Sequence, residues 1–253
     1  PSGTDNGDNG EGSGQDDDAA VDAPLPNLWL RIKNGLRLSA GDHDAVEREA
    51  HWFATHQGYL DRVTERAKYY LYYVAEEVQK RDLPMELTLL PIVESAYQPF
   101  AYSHGRAAGI WQFIPSTASL YGLKRNWWYD GRRDVVASTR AALDYLQTLA
   151  NDFNGDWLLA LAAYNSGEGT VQNAIRHNLR RGRPTDFWSL SLPVETRVYV
   201  PRLLAIARIV AEPDHYGVTL DPIPNQPYFT AVDVGSQIDL ALGCGSLSRR
   251  QGG

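Results

Sequence analysis

Apolar residues recur at helical spacing along most of the chain from residue 42 onward. Between residues 63 and 78 they lie three, four and seven positions apart, the spacing of one buried helix face. This face comprises Val63, Ala67, Tyr70, Leu71, Val74 and Val78. The stretch RDLP ends this predicted helix, and Pro84 opens the next one, because proline is tolerated in the first turn of a helix.

Four further helices are predicted downstream. PSTASLYGL forms a short helix that stops at Gly122. DVVASTRAALDYLQTLANDF forms a longer one, and GDWLLALAAYN follows with Asp156 as its N-cap and with Gly167 and Gly169 breaking it. LPVETRVYVPRLLAIARIVAEP forms the last helix and begins near Pro193.

Alternation of apolar and polar residues, the pattern of a strand, is absent at useful length. We therefore expect an all-α fold in one domain over residues 28–215. Residues 1–27 are rich in Gly, Ser, Asn and Asp and predict a disordered acidic leader. Residues 216–253 are proline-rich at first and are interpreted as a linker and tail.

The charge is unevenly distributed. The net charge is −7, but residues 1–23 hold seven acids and no Lys or Arg, so the rest has 24 acids against 24 bases. A neutral body gives no electrostatic footprint for nucleic acid. The single cysteine, Cys244, cannot form an internal disulfide. No apolar run approaches the length that spans a bilayer.

Glu94 ends the apolar run LTLLPIVES. In a helix, Leu87, Leu90 and Pro91 would share its face. Apolar surroundings and the negative end of a helix both disfavour the carboxylate anion and raise the pKa of the acid. A carboxylic acid that is neutral near pH 7 suits a general acid. The alternative is a glutamate that bends out to solvent or pairs with an arginine.

The loop after Glu94 contains no Asp or Glu between residues 95 and 129. It offers small and hydrogen-bonding residues instead: Ser95, Ser103, His104, Gly105, Gly109 and Gln112. Such a loop can approach a neutral polyhydroxyl ligand closely, with Trp111 and Tyr97 over sugar faces, although Trp111 could equally be a core residue. Glycoside cleavage usually needs two carboxylates, about 5 Å apart for retention or roughly 6.5–9.5 Å for inversion. The second one is missing from this stretch.

Four motifs, IVES, GIWQF, AAYNSGEG and PVETRVYV, occur in this order. Their order and spacing resemble the lysozyme-like lytic transglycosylases of glycoside hydrolase family 23 over about residues 80 to 212. The resemblance implies a lysozyme-like helical fold with a substrate cleft, and peptidoglycan glycan strands as the partner. Many relatives have Met before the Gln of the second motif, where this chain has Trp111.

The resemblance also implies roles for individual residues. Glu94 would be the sole catalytic acid and base. The substrate would be contacted by Ser103, Gln112, Tyr164, Asn165, Tyr199 and Glu195, and the loop adds Ser95 and Trp111. From the residues alone, Asn165 could merely end a helix. Glu195 lies in a first helical turn, where the helix dipole favours the anion. We therefore expect Glu195 to stay charged and to anchor the fold or a neighbour's hydrogen bond.

The implied reaction explains how one carboxylate suffices. Glu94 would protonate the oxygen between N-acetylmuramic acid and N-acetylglucosamine, while the muramic acid's own acetamido group stabilises the cationic C1. Glu94 would then take the proton of the 6-hydroxyl, which closes on C1 to give a 1,6-anhydro ring. A hydroxyl held in place reaches an effective molarity of roughly 10⁵–10⁸ M and can outcompete water. No metal or cofactor is required.

Two alternatives remain open. A goose-type lysozyme would use water as acceptor and would need a second acid, which Asp130, Asp134 or Glu168 could supply from a distance. A non-catalytic glycan-binding module would keep the cleft without turnover. The resemblance further implies a periplasmic location, a lipid anchor upstream of Pro1 and cell-wall-binding LysM repeats downstream. The sequence does not determine the oligomeric state, for which a monomer is the default expectation.

Overall fold

Helices make up the regular structure of the computed structural model, which describes residues 27–39, 41–103 and 105–230. The α-helices are α1 (Leu28–Asn34), α2 (Asp44–Ala54), α3 (Gln57–Ala67), α4 (Leu71–Lys80), α5 (Leu90–Ser95), α6 (Pro115–Leu120), α7 (Val135–Asp152), α8 (Trp157–Ser166), α9 (Glu168–Leu179) and α10 (Val194–Ala211). Short 3-10 helices cover Met85–Leu89, Phe187–Ser189 and Pro213–Tyr216. Within the described ranges, β-structure is limited to isolated bridges. The all-α prediction is confirmed, whereas the predicted leader (apart from Asn27), His104 and Cys244 lie outside the described residues.

Helix α10 is the central element of the core. It packs against α1, α2, α5, α8 and the 3-10 helix Met85–Leu89. The predicted inward stripe is buried, from Leu203 through Ile206 and Ala207 to Val210. Helices α7 and α8 were also predicted correctly. Asp134 and Asp156 precede them and accept hydrogen bonds from backbone N–H groups of their first turns. α7, α8 and α10 carry three walls of the cleft described below.

The helix predicted over residues 63–78 is two helices, α3 and α4, with a turn at residues 68–70. The apolar positions of both halves are buried, but Tyr70 leaves helical geometry at φ −126°. The rings of Tyr69 and Tyr70 pack on Tyr228 and Phe229 respectively. Contacts with a distant segment thus accompany the break, and the periodicity alone did not reveal it.

The apolar run before Glu94 is also divided. Leu87 lies in the 3-10 helix Met85–Leu89, and α5 begins only at Leu90, with Pro91 in its first turn. The prediction that Leu87 shares an α-helical face with Glu94 is therefore wrong. The apolar surroundings that the prediction required are nevertheless present, since Leu87, Leu90 and Pro91 are all buried.

Helix α9 was not predicted. Gly167 ends α8 at φ +87°, a left-handed conformation that favours glycine. The chain then starts a new helix at once, and Gly169 lies inside it. The prediction that Gly169 breaks the helix is wrong because one left-handed residue is enough to change direction.

The segment after α10 packs on the helical body. Val218 and Ile223 are buried, and the Leu28 N–H donates to the Ile223 carbonyl at 2.8 Å. The indole N–H of Trp29 donates to the Asp221 carbonyl at 2.9 Å. The boundary predicted at residue 215 is therefore too early for the residues described here. Within those residues, no helix combines the length and apolarity needed to cross a membrane.

Candidate active site

A cleft of about 550 Å³ opens between α5, the loop that follows it, α7, the end of α8 and α10. It brings together seven residues that the sequence analysis selected: Glu94, Ser103, Gln112, Tyr164, Asn165, Glu195 and Tyr199. They come from four separate parts of the chain, and only the fold places them side by side.

Glu94 lies in the last turn of α5 and is partly buried. The two residues after the helix, Ala96 and Tyr97, both have positive φ, 51° and 56°. This left-handed turn carries the chain away directly behind Glu94 and leaves its carboxyl group facing the cleft. The Ala96 N–H and the Tyr97 N–H cap the carbonyls of Ile92 and Pro91, so the helix end is satisfied without a charged side chain.

Burial raises the pKa of Glu94 from its ordinary value of 4.5 to about 7. A hydrogen bond from the Tyr199 hydroxyl opposes this shift and lowers the pKa, while the nearby charge of Glu195 raises it further. A pKa near 7 lets the same group give up a proton and take one back at neutral pH.

Tyr199 is the direct partner of Glu94. It is buried on α10, and its hydroxyl donates to Glu94 Oε1. Burial and the adjacent carboxylate hold the pKa of Tyr199 well above 10, so the phenol keeps its proton. These two residues are 105 positions apart in the sequence, and the contact fixes α5 against α10 at the site.

The loop between α5 and α6 forms one wall. Gln112 adopts a positive φ of 47°, and its side-chain amide donates to the Gly109 carbonyl at 2.8 Å. Gly109 has φ +82°, and a Cβ there would lie 1.8 Å from the Arg132 carbonyl oxygen. Only glycine fits this approach of two backbones. Ser103 accepts from the Ala107 N–H at 3.1 Å, which leaves its hydroxyl hydrogen for a ligand.

Arg132 holds this loop from behind. Its guanidinium is buried and donates to the carbonyls of Arg106, at 2.6 Å, and Phe113, at 3.1 Å. The same group pairs with Asp130 at 2.6 Å. One side chain therefore joins both ends of the segment that contains Gln112.

The end of α8 forms the facing wall. Tyr164 donates from its hydroxyl to the Trp111 carbonyl at 2.8 Å. Asn165 accepts at Oδ1 from the Thr196 hydroxyl at 2.8 Å, so its orientation is fixed from α10. The amide NH₂ of Asn165 is then available to the cleft. Asn165 does more than end a helix.

Three predictions for the loop are wrong. Trp111 and Tyr97 are fully buried and cannot cover a sugar: Trp111 donates to the Thr139 hydroxyl at 3.0 Å, and Tyr97 donates to the Thr88 carbonyl at 2.6 Å. The core alternative for Trp111 is correct. Ser95 does not line the cleft, because its hydroxyl donates to the Ile110 carbonyl at 3.0 Å and ties α5 to the loop.

The other acidic residues considered for the site differ in whether they line the cleft. Glu195 lines the cleft and is exposed, and among the described residues its side chain has neither a hydrogen-bond partner nor an ion-pair partner. The predicted anchoring role of Glu195 is therefore not seen, and its charge acts on Glu94 instead. The three acids considered as a remote second carboxylate do not line the cleft: Asp130, Asp134 and Glu168. They pair with Arg132, cap α7 and accept from Gln172 respectively.

Eight residues that line the cleft were not among the predicted site residues: Val93, Ala107, Phe113, Ile114, Thr117, Tyr145, Ser166 and Gly167. The Tyr145 ring lies 5.4 Å from the Tyr164 ring. Tyr145 follows the buried Ala142 by three positions, at the border of the apolar stripe of α7. An aromatic residue at such a border is the signal that could have identified it. No cluster of His, Cys, Asp or Glu suited to a metal ion occurs in the described ranges.

Comparison with known proteins shows the following similarities. The family model described as transglycosylase SLT domain matches residues 72–186. The chain is 48% identical over 225 residues to membrane-bound lytic murein transglycosylase D of Escherichia coli K12, covering 89% of this chain and 50% of that protein. It is 46% identical over 138 residues to a putative tributyltin chloride resistance protein of Alteromonas sp. strain M-1, covering 53% of this chain and 67% of that protein.

Among solved structures, an inactive mutant of the lytic transglycosylase Slt from Pseudomonas aeruginosa matches with a TM-score of 0.48 and 22% identity. The match covers 78% of this chain and 33% of that one. The chain spans about half the length of the E. coli relative it matches.

Proposed function

This chain belongs to the lytic transglycosylases that share the transglycosylase SLT domain, and we propose that it cleaves peptidoglycan without water. The bond broken is the β-1,4 link between N-acetylmuramic acid and N-acetylglucosamine, and the product carries a 1,6-anhydro ring. The observation that supports this proposal best is the cleft-facing Glu94, whose pKa burial raises to about 7.

In the first step, Glu94 donates its proton to the glycosidic oxygen, and the bond from that oxygen to C1 of the muramic acid breaks. A carboxyl group with a pKa near the working pH is effective here, since it is both protonated often enough and acidic enough. The acetamido group of the same sugar stabilises the positive charge at C1, which removes the need for an enzyme nucleophile.

In the second step, the Glu94 carboxylate accepts the proton of the sugar's own 6-hydroxyl as its oxygen bonds to C1. This restores the acid and closes the anhydro ring, so protons and charges balance over the cycle. The Tyr199 hydroxyl donates to Glu94 Oε1 and steadies the carboxylate between the two steps. Tyr199 therefore positions the acid and stabilises its charged form.

The substrate is contacted by polar groups whose donors are not all used in hydrogen bonds within the protein. The Ser103 hydroxyl and the Asn165 amide face the cleft as donors, and each is held by a second hydrogen bond from the protein. Gln112 and Tyr164 line the same cleft. Pre-organised donors of this kind suit the neutral hydroxyl and acetamido groups of amino sugars.

Glu195 is the remaining carboxylate of the cleft. It lies on α10 one helical turn before Tyr199, the residue that contacts Glu94. This places Glu195 on the wall that already holds the acid, whereas an inverting hydrolase needs a base that activates water on the opposite face of the sugar. The arrangement favours the transglycosylase over the hydrolase.

Mass spectrometry of purified cell wall digested by the enzyme tests the proposal. We expect muropeptides lighter by one water than hydrolysis products, with no reducing muramic acid end. Glu94→Gln keeps the shape of the side chain but has no acidic proton to donate, so it should bind glycan and lose turnover by about 10²–10⁴-fold. Fully reducing products would identify a hydrolase, and retained turnover in Glu94→Gln would contradict the assignment of the acid.

We also propose that the enzyme works in the periplasm on glycan strands, tethered to the outer membrane. The support is the similarity to the E. coli relative, a membrane-bound lytic murein transglycosylase. Fractionation of cells that express the full-length protein, with detection in the outer-membrane fraction, checks the location.

A further inference from the structure

The side chains of Trp127 and Trp128 are almost completely exposed, at 87% and 90% of their area, and Phe100 is 77% exposed. Burying an aromatic side chain is strongly favourable, so a cluster of exposed large aromatics is a common mark of a binding surface. These three residues line a shallow groove of about 480 Å³ together with Tyr129 and Arg133. None of them takes part in the catalytic cleft.

The tryptophan pair is held in a defined geometry. The Asn126 side chain accepts hydrogen bonds from the backbone N–H groups of Trp128, at 2.9 Å, and Tyr129, at 2.8 Å. The Tyr129 hydroxyl donates to Asp134 at 2.9 Å, which attaches the turn to the start of α7. The two indole rings stand nearly perpendicular, at 87° and 6.4 Å between centroids. The backbone that carries the rings is thus held by hydrogen bonds, which lowers the cost of ordering this turn when a ligand binds.

Residues of the groove lie close along the chain to residues of the cleft. Phe100 precedes the cleft residue Ser103 by three positions on the same loop. On the other side, Arg133 follows Arg132, which donates to the carbonyl of the cleft residue Phe113. Phe100 and Arg133 of the groove thus lie within a few positions of residues that line or brace the cleft, which places the groove beside the path of a long ligand.

The polar rim indicates the chemistry of the ligand. Asp134 caps α7 and Asp130 pairs with Arg132, so both carboxylates are engaged within the protein. Arg133 is exposed, and no carboxylate of the described residues lies within ion-pair distance of it. Aromatic faces beside a free guanidinium suit a sugar chain that carries carboxylates, as peptidoglycan does on its lactyl ethers and peptide stems.

We propose that this groove binds the continuation of the glycan strand beyond the sugars in the cleft. The inference rests on the proposed function for the identity of the strand. The Trp127 and Trp128 rings stack on pyranose faces, and Arg133 pairs with a carboxylate of the strand. A membrane surface fits less well, because the rings line a concave groove.

Binding measured without cleavage tests this groove. The full chain with Glu94→Gln is titrated with N-acetylglucosamine dimer and hexamer and is pelleted with isolated sacculi. We expect the affinity gained between dimer and hexamer to fall roughly tenfold when Trp127→Ala and Trp128→Ala are added together. The control is Leu179→Ala, which removes an exposed apolar side chain, 61% accessible, from the end of α9. It should leave the gain unchanged, and thermal melting checks that each variant is folded.

Arg133→Gln separates the charged contact from the stacking contact. It should weaken binding to sacculi that carry peptide stems by about fivefold or more, and leave the uncharged hexamer unaffected. The proposal would be overturned if the double tryptophan variant kept the full gain in affinity from dimer to hexamer. The proposal would also be overturned if the double tryptophan variant lost binding to phosphatidylglycerol vesicles but not to sugar, since this result would assign the rings to a membrane. Because these readouts need no turnover, they remain valid even if the product analysis contradicts the proposed reaction.

Discussion

At the scale of single residues, the site depends on how two neighbours act on one carboxyl group. Burial raises the pKa of Glu94 most, the Tyr199 hydroxyl lowers it, and the Glu195 charge raises it. The two neighbours thus shift the pKa of Glu94 in opposite directions, although they lie one turn apart on α10. The pKa near 7 is a balance between them and the desolvation of the acid.

This balance predicts opposite shifts for two conservative variants. A general acid must be protonated, so kcat/KM should fall as pH rises through the pKa of Glu94 in the free enzyme. Tyr199→Phe removes the hydrogen bond that favours the anion, so the alkaline limb should move to higher pH. Glu195→Gln removes a repelling charge, so the limb should move to lower pH. The pH profiles of the three enzymes, measured at one ionic strength, provide the comparison.

A shift of about half a unit to one unit in each direction is expected for charges and hydrogen bonds at this depth. If both variants shift the limb in the same direction, the limb does not report Glu94. A loss of activity at every pH without any shift would instead mean that Tyr199 and Glu195 act through the shape of the cleft.

At the scale of elements, the sequence was most informative where helices are long and capped by a side chain. Asp134 and Asp156 mark the starts of α7 and α8, and the apolar stripe of α10 runs through four buried positions. The sequence was least informative where the chain uses short elements. The 3-10 helix before α5 has five residues, too few for a period, and α9 follows one glycine after α8 with few apolar residues.

The cleft loop shows how an element without regular structure is stabilised. Arg132 is buried and bridges the carbonyls of Arg106 and Phe113, while it pairs with Asp130. Lysine keeps the charge but cannot reach these acceptors at once, because it lacks the planar fork of donors. Arg132→Lys should therefore lower the free energy of unfolding by about 2–4 kcal/mol and reduce turnover. Urea denaturation with parallel rate measurements checks both effects.

The neighbouring Arg133→Lys is the matched control for stability. Arg133 is exposed, so the same chemical change should cost less than about 0.5 kcal/mol. Equal destabilisation by the two substitutions would show that Arg132 does not hold the loop. Gly109→Ala adds a methyl group against the Arg132 carbonyl and should disrupt the same loop from the opposite side.

At the scale of the whole molecule, the site exists only because distant segments meet. The residue properties of Glu94 alone pointed to a general acid, and the order of four motifs pointed to the residues that surround it. Neither could separate Trp111 in the core from Gln112 in the cleft, since adjacent residues on an irregular loop follow no period. The exposed pair at Trp127 and Trp128 was missed because sequence alone does not distinguish surface tryptophans from core ones.

The segment after α10 contributes to the stability of this assembly. Ile223 is 2% exposed, and its carbonyl accepts from the Leu28 N–H. Ile223→Ala should lower the free energy of unfolding by about 2–4 kcal/mol through the cavity it leaves. Leu179→Ala removes a similar volume from an exposed site and should change it by less than about 0.5 kcal/mol. Equal midpoints in guanidinium chloride for the two variants would mean that the segment is only loosely attached.

The bridge between Asn27 and Pro224 brings the first and the last described parts of the chain to one point on the surface. Such proximity is what circular permutation of the described part requires, so a short linker across this point could join residues 27 and 230 while new ends are opened in an exposed turn elsewhere.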